Sequence, residues 1–165
     1  MSIIVERFKK IKLNIIKSDN VDLIKIIAVS KTFSLSYIMP LIEFGHEHFG
    51  ENKVQEAVVK WQKIKKTKPN LKLHMIGKLQ SNKAKKAVEI FDYIHSLDSQ
   101  KLADVISMKQ NEINKSIKFF IQVNIGNEQQ KFGIPFNEVD DFYNYCTKEK
   151  KMDILGLMAI PPNDG

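Results

Sequence analysis

A parallel α/β fold assembled from repeated βα units is predicted by three features of this sequence. Six short, largely apolar runs alternate with longer segments of helical period, the pattern of strands joined by crossover helices. The first run, "KIIAVS" from Lys25, is apolar on both of its alternating faces, as expected for a strand covered on both sides. The runs begin at intervals of roughly two dozen residues, close to one unit of an eight-unit βα barrel. A doubly wound open sheet accounts for the same alternation. Its dinucleotide-binding form is not indicated, because no G-x-G-x-x-G follows the first run.

Taken in order, the elements begin with "MSIIVERFKKIKLNIIKS". Its charges are spread through the segment, with no uninterrupted apolar core or small-residue cleavage site, so it reads as an amphipathic helix and not a signal peptide. In the first strand Ile26 and Ala28 share one face. Ile27 and Val29 share the other, joined by Lys31 if the alternation continues. "EHFG" from Glu47 is the second strand. The helix "KVQEAVVKWQKIKK" follows, with Val54, Ala57, Val58, Trp61 and Ile64 on one face. "KLHMIG" from Lys72 is the third strand, and Ser81 is placed to N-cap a helix running through Phe91. "YIHSLD" from Tyr93 and "KFFIQVN" from Lys118 are the fourth and fifth. Asn137 is placed to cap a helix through Cys146, before the sixth strand, "DILGLMAI" from Asp153.

The 165 residues are 43% hydrophobic, enough for one domain with a substantial core. A closed barrel of this kind takes about 250 residues and rarely fewer than 200. The sequence stops in "IPPNDG" just after the sixth strand. On the barrel reading, residues 1–165 form one incomplete domain lacking two βα units, with open edges at the first and sixth strands.

Lys+Arg number 26 against 19 Asp+Glu, a formal charge of +7, which permits attraction of anions or nucleic acid. Arg7 is the only arginine, however, and bidentate readout of phosphate or guanine favours arginine. The lysines are scattered and accompanied by many Ile and Asn residues, so compositional drift explains the charge. Specific nucleic-acid binding is not expected. Cys146 is the sole cysteine, so no intrachain disulfide forms, as in a reducing compartment. No apolar stretch approaches the length of a membrane span. A soluble, cytoplasmic protein without a membrane partner is expected, and a monomer.

Ligands of parallel α/β folds bind at the carboxyl ends of the strands. The polar residues falling there are Lys31, "GEN" (50–52), "GKLQSNK" (77–83), "LDS" (97–99), Asn124 and "MAIPP" (158–162). Together they describe one rim. "GKLQSNK" lacks the G-x-x-x-x-G-K-[ST] spacing of a phosphate loop, and Lys83, Lys85 and Lys86 read as a solvated helix face. His46 and His48 could share a strand face, but two imidazoles without a third ligand do not make a metal site. A structural role is expected for both. His74 and His95 lie in apolar runs and read as core or rim histidines.

"AVSKT", "HFGENKVQE", "HMIGKLQSNKAKK", "IHSLDS", "QVNIGNEQQKFGI" and "GLMAIP" occur in order and at suitable spacing. They resemble the pyridoxal phosphate-binding protein family, the pyridoxal phosphate homeostasis proteins. Its members are similar to the barrel domain of bacterial alanine racemase without that enzyme's second domain. The similarity runs from Ile24 to Ile160. Phe33-Ser34 stands where a Lys/Arg-Pro pair is common, and "LHMIG" where "WHFIG" is common. The family continues with Ser-Met-Gly-Met-Ser, Gly-Thr and Arg-Ile-Gly segments that supply most phosphate contacts and the pyridine-nitrogen partner. None of these is in this sequence.

The resemblance implies an α/β fold, the (β/α)8 TIM-barrel type of the alanine racemase N-terminal domain. Here it would be incomplete, with about six βα units and an N-terminal helix. It implies that Lys31 holds pyridoxal 5'-phosphate as a Schiff base, which requires a neutral amine and hence a pKa below lysine's usual 10.4 or so. Asn52 is implied as a polar contact to the ring or its phenolic oxygen, or else as the cap of a helix starting at Lys53. Met158 is implied as a pocket-lining residue, or as core. The implied function is a noncatalytic pyridoxal phosphate-binding protein acting in intracellular homeostasis of that cofactor. The alternatives are a racemase-like enzyme completed by a partner domain, and a lysine-rich anion- or RNA-binding protein. With the phosphate segments absent, weaker cofactor binding than in a full-length barrel is expected.

Overall fold

The computed structural model describes residues 2–16, 24–126 and 132–161. After α1 (Ile3–Ile16) the chain alternates strand and helix: β1 (Ala28–Val29), α2 (Leu35–Glu43), β2 (His48–Glu51), α3 (Val54–Thr67), β3 (Lys72–Met75), α4 (Ser81–Ile90), β4 (Tyr93–Leu97), α5 (Gln100–Ile113) and β5 (Lys118–Asn124). A two-residue strand β6 (Ile134–Pro135), a 3₁₀ turn (Phe136–Glu138), α6 (Val139–Asn144), a π-type turn (Tyr145–Glu149) and β7 (Asp153–Met158) complete it. Every strand pairing is parallel, in the order β1-β2-β3-β4-β5, with β7 beside β5 and β6 at the carboxyl end of β5. This is the sequential order of a βα barrel left open between β7 and β1, as the sequence predicts.

One face of the sheet is covered by helices. Phe49, Leu73, Met75, Ile94, Phe119 and Ile121 meet Ile38 and Leu41 of α2, Ala57 and Trp61 of α3, Ala84 and Ala87 of α4, and Leu102 and Ile106 of α5. Burial of each large side chain contributes about 1.5–3 kcal/mol, and the alternation that delivers them is the two-residue period of a strand. The predicted face of α3 is the buried one, with Val58 only partly covered.

Several sequence expectations are corrected. The first strand is not covered on both sides. Its ladder is two residues long, Ile26 and Ile27 are half-buried, and Val29 is 47% exposed. The sheet does not close, so no partner covers that edge among the described residues. At the other edge Leu157 of β7 is 54% exposed. Ser81 is the first helical residue of α4 and not its cap. Gln80 holds the cap position without a side-chain bond, through the bond from the Lys83 amide to its carbonyl. Asn137 lies inside the 3₁₀ turn, and the helical path continues beyond Cys146 by a bond from the Lys150 amide to the Tyr145 carbonyl. Lys53, not Asn52, occupies the cap position of α3. Ser34 and Ser99 are the serines that do cap, accepting from the amides of Tyr37 and Leu102. The segment "IPPNDG" falls mostly outside the described residues.

Lys115 fastens one βα connection. Its Nζ donates to the carbonyls of Val88 (2.8 Å), Glu89 (3.0 Å) and Phe91 (2.9 Å), the unsatisfied end of α4. Burial brings its pKa down to about 8, so it remains largely charged at neutral pH. Lys115→Met is expected to cost about 1–2 kcal/mol, read from urea unfolding at pH 7. An unchanged midpoint would assign those carbonyls to solvent.

Candidate functional site

The carboxyl ends of β1, β2 and β3 lie side by side, and the residues that follow them are tied together. The Ser30 amide donates to the Gly50 carbonyl (2.9 Å), and the Ile76 amide to the Glu51 carbonyl (2.9 Å). Glu51 follows Phe49 by two positions on the helix-facing side of β2 and is fully buried. Its Oε1 accepts from Ser30 Oγ (2.8 Å), Lys60 Nζ (2.9 Å) and Trp61 Nε1 (3.0 Å). Lys60 also donates to the Ser30 carbonyl at 2.8 Å. Buried charge is tolerated when paired and hydrogen-bonded in this way.

Lys31 follows directly. It lies beyond the end of the β1 ladder, in a turn closed by a bond from the Phe33 amide to the Ser30 carbonyl (3.1 Å). Lys31 is exposed and borders an open groove of about 690 Å³ between the 31–34 loop and α3, with Lys53, Glu56, Val59 and Lys60 on the far wall. Asn52 lies one residue beyond Glu51 and lines a separate cavity of about 110 Å³ with Met75, Leu79 and Lys83. Gly77 presses directly on it: a Cβ there would stand 2.5 Å from the Asn52 carbonyl oxygen. Met158 ends β7, half-buried opposite Gln122. Lys31 and Asn52 are thus brought to neighbouring strand ends through Ser30 and Glu51. Met158 is at the far end of the open sheet, and the structure does not bring it to them.

The face of the sheet away from the helices carries an array that the sequence did not disclose. His48 Nδ1 lies 2.9 Å from His74 Nε2, and His74 Nδ1 lies 2.9 Å from His95 Nε2. The two N···N distances make one hydrogen-bonded chain across β2, β3 and β4. His74 stacks on Tyr93 and His95 on Phe120. Burial, with the neighbouring His95, His48, Lys25 and His46, pushes His74 down to about 3, and burial pushes His95 down to about 4. Burial likewise lowers His46 and His48. A neutral imidazole has one N–H, so the donors must all run the same way along the chain. His46 does not share a face with His48. It packs against Phe8 and Phe49, with its Nε2–H donated to the His48 carbonyl (2.8 Å). Among the described residues no group of three His, Cys, Asp or Glu side chains is arranged to hold a metal ion. No described helix is long and apolar enough to cross a membrane. The thiol of Cys146 is buried and pushed up to about 12, which leaves it unreactive.

Glu51 and the histidine chain are what sequence reasoning missed. Glu51 had a signal, an acidic residue in the register of an apolar face. The histidines had none, since their contacts depend on strand register.

Residues 12–164 match the family model described as alanine racemase, N-terminal domain. The pyridoxal phosphate homeostasis protein of Haemophilus influenzae is 40% identical over 147 residues, covering 88% of this chain and 62% of the relative. That of Pasteurella multocida is 39% identical over 142 residues, covering 86% and 61%. The chain therefore spans about three fifths of the length of the curated relatives it matches. Among solved structures, PipY of Synechococcus elongatus with pyridoxal phosphate bound superposes with a TM-score of 0.80 at 36% identity, covering 93% of this chain and 71% of that one. Alanine racemase of Clostridium difficile superposes with a TM-score of 0.66 at 14% identity, over 94% of this chain and 41% of that one, a likeness of fold alone.

Proposed function

The chain belongs to the alanine racemase N-terminal domain family, and from that premise we propose that it binds pyridoxal 5'-phosphate and serves its homeostasis, holding the cofactor on Lys31 without turnover. The observation that carries this reading is the placement of Lys31. Its primary amine is exposed at the carboxyl end of β1, next to the strand end that bears Asn52. Lys31 would supply an amine for the aldehyde and Asn52 an amide for the ring, the two standing on neighbouring strand ends and lining separate cavities. When bound, the cofactor would supply an aldehyde, which the Lys31 amine would hold as a Schiff base with release of one water. Met158 would line the pocket only where the barrel brings β7 round to β1.

The named relatives are described as homeostasis proteins, which supports holding over turnover.

Titrating the protein with pyridoxal phosphate is expected to give a visible absorption band, with borohydride fixing the added mass on the peptide containing Lys31. In Lys31→Ala both signals are expected to vanish. A band that survives this substitution overturns the assignment. Sustained racemisation of an amino acid by the loaded protein would transfer the reading to a racemase-like enzyme.

A further inference from the structure

We propose that Glu51 is a positioning residue for Lys31, its buried carboxylate fixing through Ser30 and Lys60 the turn that presents the amine. The proposal rests on the reading above for what Lys31 does, but its first test does not require the cofactor.

All three polar groups of Ser30 are held from outside β1. The amide donates to the Gly50 carbonyl (2.9 Å), the hydroxyl to Glu51 Oε1 (2.8 Å), and the carbonyl accepts from Lys60 Nζ (2.8 Å). Lys60 is in turn paired with the same Oε1 at 2.9 Å, its side chain only 13% exposed and that of Glu51 0%. Oε1 therefore ties three elements at one point: the end of β1 through Ser30, α3 through Lys60 and Trp61, and β2 through Glu51 itself.

The location of this knot gives it its consequence. β1 is an edge strand with a two-residue ladder, so β pairing alone constrains its carboxyl end weakly. Lys31 is the next residue. Apolar side chains of similar volume would join β2 to α3 as well as an ion pair does. What a carboxylate adds is direction, because it accepts a hydroxyl proton at one angle and holds the ammonium that grips the Ser30 carbonyl. That same carbonyl accepts the Phe33 amide that closes the turn around Lys31 (3.1 Å). Removing the carboxylate should loosen the turn while the apolar packing of Trp61 keeps α3 in place.

The test uses Glu51→Leu combined with Lys60→Met, which removes both buried charges together, and Ser30→Ala, which removes only the hydroxyl link. Hydrogen exchange is followed by mass spectrometry in peptides covering 30–34 and 54–67. In the double variant exchange at 30–34 is expected to rise at least tenfold and at 54–67 to stay within twofold. Ser30→Ala should raise it about threefold at 30–34 alone, and decides the matter if the double variant does not fold. Borohydride trapping of pyridoxal phosphate on Lys31 is expected to fall at least tenfold in the double variant. Equal increases in both peptides would make Glu51 a general stabiliser and overturn the proposal, as would unchanged exchange at 30–34. If the unsubstituted protein traps no cofactor but exchange changes as stated, the cofactor reading fails and the positioning role stands.

Discussion

Lowering the pH from 8 to 5 is expected to remove about 2–4 kcal/mol of stability, through two histidines on the open face of the sheet. His74 and His95 stay neutral in the folded chain down to about 3 and about 4. In the unfolded chain both take up a proton near 6.5 or so. Below that value the unfolded state binds more protons, so stability falls with pH, and the fall continues towards the folded values. One site contributes about 1.4 kcal/mol per pH unit, and two independent sites would give about 4 kcal/mol at pH 5. Sharing of protons along the chain sets the lower figure. The groups facing the chain are Lys25, Lys72, Glu47 and Asp92 around His48, His48, His46 and Lys25 around His74, and Phe120 beside His95. Asp98, whose carboxyl burial holds above the usual range, acts in the opposite sense. Urea unfolding at half-unit steps of pH measures the slope. His95→Phe, which keeps a ring against Phe120, should halve it. A flat profile between pH 7 and 5 would mean that the imidazoles are already solvated in the folded state.

Gly77→Ala is expected to cost about 3 kcal/mol and to displace Asn52. A methyl group at 77 would meet the Asn52 carbonyl oxygen at 2.5 Å, its Cβ at 2.7 Å and its Cα at 2.8 Å. Two of these are main-chain atoms, so no flexible side chain can yield. Nor can the segment shift freely, since the Glu51 carbonyl accepts from Ile76 (2.9 Å) and the Glu51 carboxylate is locked by three donors. The loops after β2 and β3 must part. Gly50→Ala is the internal control. Its methyl would meet the tip of Ile76 at 3.1 Å and Ile27 at 3.2 Å, side-chain atoms that can move, and a smaller loss is expected. Chemical unfolding compares the two, and, on the function proposed above, cofactor trapping on Lys31 reports whether the rim has moved. A loss for Gly77→Ala below about 0.5 kcal/mol would show that the loops part without strain.

Strand positions were legible because Phe49, Leu73, Met75, Ile94, Phe119 and Ile121 give the helix-facing side of β2 to β5 an apolar two-residue period, and that period survives any register. The face of α3 was legible for the same reason at helical period. Helix starts were less legible. Ser81 and Asn137 have capping chemistry, yet the backbone turns one residue earlier at Gln80 and through a 3₁₀ turn at Phe136. A cap depends on where the preceding strand or loop delivers the chain, which no local residue type specifies. β6 was not legible at all, being two residues whose pairing exists only against the end of β5.

The sequence by itself determined the βα order, the helix-facing core and the reading of Lys31 as the residue to watch. Each of these depends on local period or on a short motif. Only the tertiary structure decided what surrounds that lysine. It ended the β1 ladder before Lys31, put Lys31 in a turn that borders the groove beside α3, and made Glu51 the common acceptor of three donors, one of them on Ser30. It also joined His48, His74 and His95, residues 26 and 21 positions apart, into one chain. Hydrogen bonds act over about 3 Å, so such partners are chosen by strand register and helix docking, and these exist only once the chain has folded.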